Sequence, residues 1–155
     1  MNIRQKGANG EREVATDLNA MLYRAMADSN LFSNSELQVA FSAIQRNQNQ
    51  SAVGGKDLSN TFGLSIEVKR QESLSVNTWW QQCLKAAIRN DEQPVLVYRQ
   101  NRKPWRVRMF GWLPINGGHT VGHTVAVVEI DYDSFLGWFY AHVLQCLLKG
   151  YKIQI

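Results

Sequence analysis

Hydrophobic residues recur at helical spacing in three parts of this chain. Spacings of three and four residues predict a helix from about Ala8 to Met26 and a second helix from Val76 to Arg89. A third helix is expected to begin after Asp131 or Asp133, either of which would cap its first turn, and to continue to about Lys149. This helix is apolar over more than one face, so it either completes the core or forms a subunit interface.

Alternating apolar and polar residues predict the strands. They lie at 64–69, 94–99, 105–109 and 124–130, with a turn at 100–104 between the second and the third. Residues 28–50 are polar, with a short amphipathic piece around 37–44, and the glycine-rich residues 117–123 are expected to form a flexible connection without a functional role. Helices interspersed with strands predict an α/β fold, and we expect residues 1–155 to form one domain.

The second helix has a predicted buried side of mostly large apolar residues. They are Val76, Trp80, Cys83, Leu84, Ala87 and Ile88. The adjacent Trp79 and Trp80 are more typical of a core than of a surface that stacks nucleic-acid bases. Cys83 and Cys146 are not spaced as metal ligands, and we interpret them as reduced thiols of a cytoplasmic protein.

The first strand carries an acid and an amine on one face. In the run LSIEVK over residues 64–69, the aliphatic side chains face one way, while Ser65, Glu67 and Lys69 face the other. Asp57 precedes Glu67 by ten residues, with turn residues between them, so the two acids are expected on neighbouring strands of a hairpin. Two carboxylates can hold a divalent metal ion, and a lysine beside them can position a water molecule.

A less specific interpretation of each acid stays open at this point. Glu67 and Lys69 would be ordinary exposed charges of a half-buried strand, and Asp57 would be a turn aspartate. Glu11 continues the apolar stripe of the first helix. It lies there either because the helix dipole favours a negative charge in the first turn or because its side chain faces inward to reach a metal ion.

The overall charge is moderately basic. The chain has 17 lysines and arginines against 13 acids, a net charge of +4 and a pI near 9.2, which favours a polyanionic partner without requiring one. Hydrophobic residues make up 45% of the sequence, which argues against a disordered chain. No apolar run approaches the roughly 20 residues that span a bilayer, and the N-terminus lacks a secretory signal, so we expect a cytoplasmic protein without a membrane partner.

Three motifs, in this order, resemble the PD-(D/E)xK nuclease superfamily. They are KGANGERE over residues 6–13, GKDL over 55–58 and IEVK over 66–69. The chain most resembles the archaeal-type Holliday-junction resolvases, over about residues 4–109. The first glutamate of that family then falls on Glu11, and Lys56 replaces the proline of the superfamily name. The resemblance implies a restriction-endonuclease-like core of helix, central mixed β-sheet and helix, to which about residues 110–155 add a strand and a helix.

The same resemblance implies a metal site. Glu11, Asp57 and Glu67 would hold one or two Mg²⁺ ions, which Mn²⁺ would be able to replace, with the Val68 carbonyl as a further ligand. Lys69 would orient the attacking water or stabilise the charge of the transition state. The residues expected to contact DNA are Lys6, Arg46, Lys56, Arg70, Arg102, Lys103, Arg106 and Arg108, with Gln71 and Gln82 as accessory residues. The arginines around the turn at 100–104 fit a solubilising surface equally well.

The expected function is therefore Mg²⁺-dependent hydrolysis of phosphodiesters in branched DNA. A Holliday-junction resolvase of recombination or repair would need a homodimer to place two symmetric cuts. Small nucleases of this kind resemble proteins of bacteriophages, which would act in the host cytoplasm. A nuclease for nicked, flapped or linear duplex DNA would use the same residues. A non-catalytic DNA-binding module is a further alternative, which clustered carboxylates disfavour because they repel phosphates.

Overall fold

The computed structural model of the protein describes residues 2–47, 56–117 and 120–154. Within those residues helices pack on both faces of a β-sheet, in the chain order helix, strand, helix, strands, helix. The elements are α1 (Ile3–Ser29), α2 (Asn34–Leu37), α3 (Ala40–Ala43), β1 (Gln45–Arg46), β2 (Leu58–Ser59), β3 (Leu64–Gln71), α4 (Val76–Asn90), β4 (Gln93–Gln100), β5 (Arg106–Gly117), β6 (Thr120–Asp131) and α5 (Tyr132–Leu148).

The main sheet is mixed and has the strand order β3-β4-β5-β6. Strands β3 and β4 are parallel, with Val68 opposite Val97, because α4 carries the chain back across the sheet between them. The pairs β4–β5 and β5–β6 are antiparallel. Strands β1 and β2 form a separate antiparallel ribbon in which Arg46 lies opposite Leu58.

The larger core lies between the sheet and the helices α1 and α5. Helix α1 buries its predicted stripe, including Val14 and Leu18, and α5 buries Phe135 and Phe139 against it. The inward side of α5 therefore completes the core, which is one of the two roles expected for it. Asp131 caps this helix as predicted, because its carboxylate accepts the N–H of the third residue along.

The second core lies on the opposite face of the sheet, under α4. Trp79, Trp80 and Cys83 pack there against residues of β4. Ile88, which we predicted to be buried, is 79% exposed. The prediction is wrong because the buried stripe of α4 is rotated toward Trp79 and Ala86, both of which are buried.

Helices cover both faces of the sheet, and this buries most of β3. Alternation predicted one polar, solvent-facing side for this strand, yet every residue from Leu64 to Val68 is buried. Ser65 and Glu67 are therefore polar side chains placed beneath α4 rather than in solvent. The interpretation of Glu67 as an ordinary exposed charge is excluded.

The glycine-rich residues after β5 belong mainly to strands. Strands β5 and β6 pair continuously from Arg106 opposite Asp131 to Gly117 opposite Thr120, so Gly122 and His123 lie within β6. The prediction of a flexible connection is wrong for them, because cross-strand pairs hold the ribbon together despite its glycines. One such contact is that of the Trp112 and His123 rings, whose centroids are 4.4 Å apart. Gly118 and His119 lie outside the described residues.

The remaining differences are local. Helix α1 is longer than predicted at both ends, and the amphipathic piece around 37–44 forms the two short helices α2 and α3. Residues 48–51, which form most of the Asn/Gln tract after β1, and the glycine pair at 54–55 lie outside the described residues. In the part of the chain that the structure describes, the helices are too short or too polar to cross a bilayer.

Candidate active site

Asp57 is attached to the outer edge of β3 by both its backbone and its side chain. Its N–H donates to the Ile66 carbonyl over 2.9 Å, and its Oδ2 accepts the Val68 N–H over 2.7 Å. The Asn47 N–H in turn donates to the Asp57 carbonyl over 2.8 Å. The predicted hairpin is wrong in its pairing, because the Asp57 carboxylate takes the N–H that a strand partner would use. Asp57 nevertheless lies beside the strand that carries Glu67.

Glu67 is a buried acid that lacks full hydrogen bonding. Its side chain projects from β3, and its Oε2 has no hydrogen-bond partner among the described residues. The Lys69 ammonium lies on the same side of the strand, with its Nζ 3.9 Å from that oxygen, which is an ion-pair contact but too long for a hydrogen bond. A buried carboxylate oxygen in this state is costly unless a proton or a cation satisfies it.

The surroundings of the Asp57 carboxyl group strongly raise its pKa. Burial raises the pKa of Asp57 to about 8, and the charge and hydrogen bonding of the adjacent Glu67 add to this effect. The Val68 N–H and the Lys69 charge oppose it, without cancelling it. Burial, followed by the Glu67 charge, likewise raises the pKa of the Cys83 thiol to about 12, so this thiol stays protonated. The site therefore favours one bound proton, or a cation in its place.

The Glu11 side chain faces inward from α1 and is only 7% exposed. The interpretation of Glu11 as a residue that reaches a metal ion required this orientation. The helix approaches the sheet closely at this point, because a Cβ on Gly10 would lie 3.3 Å from the Trp105 ring and 3.7 Å from the Arg70 Cβ. The Glu11 carboxylate forms an ion pair with the Arg46 guanidinium. In this structure the charge of Glu11 is thus balanced by an arginine.

Arg46 reaches Glu11 because a buried asparagine fixes the start of β1 on α1. The Asn19 amide donates to the Ile44 carbonyl over 2.9 Å and accepts the Ile44 N–H over 2.9 Å. Sequence reasoning missed this residue. A polar side chain next to the apolar stripe of α1 was the available signal, but it did not indicate which backbone segment would be bound.

The described residues contain no ready-made group of three histidine, cysteine, aspartate or glutamate side chains that could hold a metal ion. Asp57 and Glu67 adjoin, whereas Glu11 is engaged by Arg46. The donor set still fits a divalent cation. It offers hard carboxylate oxygens, and one of them, Oε2 of Glu67, is buried without a hydrogen-bond partner in the described part of the chain.

Comparisons with known proteins decide the family. The model of a family described as "Phage putative PDDEXK endonuclease" matches residues 2–111. The chain belongs to this endonuclease family. The resemblance predicted from the three motifs is confirmed. Together with the mixed sheet between helices, membership confirms the predicted restriction-endonuclease-like class.

Two further comparisons add little. A search of the curated proteins gave no match. Among solved structures, the PDDEXK endonuclease chain is similar to Hjc, a Holliday junction resolvase of the archaeal hyperthermophile Archaeoglobus fulgidus. The identity is 16%, the match covers 63% of this chain and 85% of that one, and the TM-score is 0.34.

Several cations that we expected to contact DNA form ion pairs within the chain. Lys56 lies 2.8 Å from the Glu92 carboxylate, and both side chains are largely buried. Arg106 and Arg108 both pair with Glu129 of β6, at 3.7 and 2.9 Å. Neither Glu92 nor Glu129 was identified from the sequence, because each is well separated along the chain from the cations with which it pairs.

The other predicted residues are more accessible to a ligand. Lys6 lies 3.6 Å from the exposed Glu72, and the Arg70 Nε donates to Asn101 over 3.3 Å. The remaining members of the set are exposed, and among the described residues no contact places them at the carboxylate pair. They are Gln71, Gln82, Arg102 and Lys103.

Proposed function

We propose that this member of the PDDEXK endonuclease family is a Mg²⁺-dependent enzyme that hydrolyses phosphodiesters in branched DNA, with the Holliday junction as its substrate. The observation that carries the proposal is the buried pair of Asp57 and Glu67 with the Lys69 ammonium beside it. A surface that served only to bind phosphates would gain nothing from two carboxylates. A catalytic metal site needs such a pair.

Asp57 and Glu67 would hold the metal ion, and Glu11 would join them once Arg46 releases it. Mn²⁺ would replace Mg²⁺, because both ions accept oxygen ligands. When bound, the ion would supply charge stabilisation at the scissile phosphate and lower the pKa of a water ligand. The Val68 carbonyl stays a proposed further ligand.

Lys69 would act on the water or on the phosphate oxygens. Its ammonium lies on the face of β3 that carries Glu67, so a phosphate held by the carboxylate-bound ion would lie within its reach. Arg46, released from Glu11, would be free to contact the DNA backbone together with Lys6, Arg70 and the exposed cations of the turn at 100–104.

Cutting a four-way junction symmetrically requires two active sites, and we therefore propose a homodimer in the cytoplasm of the cell that contains the DNA. Recombination or repair of DNA would supply such substrates. The basic charge of the chain, +4, supports a nucleic-acid partner through attraction to the phosphate backbone.

The decisive experiment measures cleavage of a labelled synthetic four-way junction with Mg²⁺, with Mn²⁺ and with EDTA. Wild-type protein is expected to cut with either metal and to stop in EDTA. Asp57→Asn, Glu67→Gln and Lys69→Ala are expected to lower the rate by at least about 100-fold, as is usual when a catalytic group is removed, while binding to the junction persists. Metal-dependent cutting that survives in both acid variants would overturn the proposed site.

Matched substitutions control for unspecific effects. Asp133→Asn and Lys85→Ala make the same chemical changes at exposed positions of α5 and α4 and are expected to cut at the wild-type rate. Flapped, nicked and linear duplexes complete the substrate set. A preference for one of them over the junction would replace the resolvase assignment by that of another nuclease. Binding without cutting any of them would indicate a non-catalytic DNA-binding protein.

A further inference from the structure

The β5–β6 ribbon carries a long stretch without charge. No aspartate, glutamate, lysine or arginine occurs from Met109 to Val128, although 19% of the residues of the whole chain are charged. The stretch is bracketed by Arg108 and Glu129, whose side chains pair over 2.9 Å across the two strands. Arg108 and Glu129 are therefore the last charged residues at the base of the ribbon, and the part of the ribbon beyond them has a surface without lysine, arginine, aspartate or glutamate.

This uncharged part extends past the sheet. Strand β4 pairs with β5 from Arg106 to Met109, whereas β5 and β6 continue to pair as far as Gly117 and Thr120. Strand β6 is also the last strand of the sheet. We call residues 110–117 and 120–127 the outer ribbon. An edge strand of this length normally carries lysine, proline or a bulge that prevents pairing with another chain, and β6 contains neither lysine nor proline.

Large apolar side chains on the outer ribbon are exposed on both faces. Trp112 is 67% exposed, and its cross-strand partner Val125 is 53% exposed, next to the similarly exposed Val127. Leu113 and Ile115 are exposed on the opposite face. Single exposed apolar residues are ordinary on protein surfaces, but a contiguous group of them indicates a binding surface.

A groove continues this surface toward α5. It has a volume of about 610 Å³ and is lined mainly by apolar side chains, among them Met109, Phe110 and Val128 of the ribbon and Trp138 and His142 of α5. The two faces of the ribbon measure on the order of 250 Å² each, from eight residues per strand at the usual rise and strand spacing. With the groove, the surface approaches the roughly 800 Å² that each partner buries in a stable interface.

We propose that the outer ribbon and the adjoining groove form the surface through which two copies of this chain associate. Charge supports a second copy as the occupant. The chain carries +4, so two copies repel each other elsewhere, whereas this surface has no charge to oppose their contact. The absence of lysine and arginine from the ribbon also disfavours DNA, whose affinity comes largely from phosphate contacts.

Self-association through this surface would bring two active sites into one particle. In this respect the inference rests on the proposed function, which needs two cuts in opposite strands. The contact would be isologous, with the same ribbon and groove on both copies, and would close as a dimer around a two-fold axis. The C-terminal helix would contribute the Trp138 side of the groove rather than an interface of its own.

Sedimentation velocity on the full chain at micromolar concentration tests the inference. Wild type is expected to be a dimer. The double variant Val125→Lys with Val127→Lys is expected to raise the dissociation constant at least about 100-fold, because two ammonium groups would have to be desolvated in the interface. Leu113→Lys, on the other face, is expected to have a similar effect and provides a second test if the double variant does not fold.

Leu74→Lys is the matched control, because Leu74 is an exposed apolar residue that follows β3 at the end of the sheet where Gln71 pairs with Gln100, whereas the ribbon extends beyond the end where β4 begins. It should remain dimeric, and circular dichroism should show that all variants are folded. A monomeric wild type, or lysine variants that stay dimeric, would overturn the inference. A monomeric wild type whose ribbon variants bind DNA more weakly would also overturn the inference, because the ribbon would then be a DNA-binding surface.

Cleavage assays separate this inference from the proposed function. A monomer that still cuts DNA with Mg²⁺ would refute the dimer surface and leave the nuclease assignment intact. A ribbon-dependent dimer that cuts none of the substrates would leave the surface in place and refute the proposed activity.

Discussion

Replacement of Asp57 by asparagine should remove a pH dependence of stability that the site builds into the fold. Burial beside Glu67 raises the pKa of Asp57 from 3.8 to about 8. The folded protein therefore keeps a proton that the unfolded chain releases as the pH rises above about 4. Because the folded state binds more protons in this window, the contribution of Asp57 to the free energy of unfolding is highest below about pH 4 and falls until the pH passes about 8.

The size of the effect follows from the width of that window. One proton held by the folded state but not by the unfolded state changes the free energy of unfolding by about 1.4 kcal/mol per pH unit. At pH 7, about three units above the pKa of the unfolded chain, the loss in the metal-free protein reaches about 4 kcal/mol. For a chain of this length the corresponding change in Tm is about 10 °C. Asparagine still accepts the Val68 N–H but carries no titrating proton.

Urea unfolding between about pH 5 and pH 8 in EDTA measures this difference. The Asp57→Asn variant should gain about 1.4 kcal/mol per pH unit relative to wild type, while Asp133→Asn, an exposed control, should follow the wild-type curve. Added Mg²⁺ should restore the stability of wild type near pH 8, because an ion replaces the proton, and should have less effect on Asp57→Asn. Parallel curves for wild type and Asp57→Asn across this range would refute the reasoning.

Three further predictions test the contacts around the site. Arg46→Gln frees Glu11 and removes a positive charge, so calorimetry should show Mn²⁺ binding about tenfold tighter, which is a change of about 1.4 kcal/mol in binding free energy. Unchanged or weaker binding would contradict a competition between arginine and metal for Glu11. Lys56→Met and Glu92→Gln each break a partly buried ion pair and should lower the free energy of unfolding in urea by about 1–3 kcal/mol without weakening DNA binding. The double exchange Lys56→Glu with Glu92→Lys should recover part of this loss. Reduced DNA affinity without loss of stability would instead support the phosphate contact expected for Lys56. Asn19→Ala should lower the free energy of unfolding by about 2–3 kcal/mol, because it leaves the buried N–H and carbonyl of Ile44 unpaired. A loss below about 0.5 kcal/mol would show that these two hydrogen bonds are dispensable.

The candidate site divides into a part that the sequence predicted and a part that it did not. Helical spacing placed Glu11 on the inward stripe of α1, and alternation placed Glu67 and Lys69 together on one face of β3. Both inferences depend on local periodicity, which the chain sets by itself. The engagement of Glu11 by Arg46 was not predictable, because it depends on Asn19 holding a segment 25 residues further along the chain.

The ion pairs of two cations that were expected to contact DNA were also not predictable from the sequence. Lys56 and Arg108 were among the residues expected to contact DNA, Arg108 as part of the cluster of arginines around the turn at 100–104. The structure pairs them with Glu92 and Glu129, which lie on other elements, and so removes part of their charge from the surface. Whether a cation is available to a ligand depends on which acid the fold brings beside it, and a linear pattern does not contain that information.

By itself the sequence determined the family, the α/β class and the order of the acidic and basic motifs, because periodicity and spacing are properties of neighbouring residues. Only the tertiary structure decided that Glu67 is buried beside Asp57 and that β5 and β6 project as an uncharged ribbon. The first feature arises where elements distant along the chain meet, and the second arises where two consecutive strands pair beyond the edge of the sheet. Helix α4 covers the polar face of β3 and so desolvates Glu67, and cross-strand pairing extends a ribbon whose glycines alone favoured a loop.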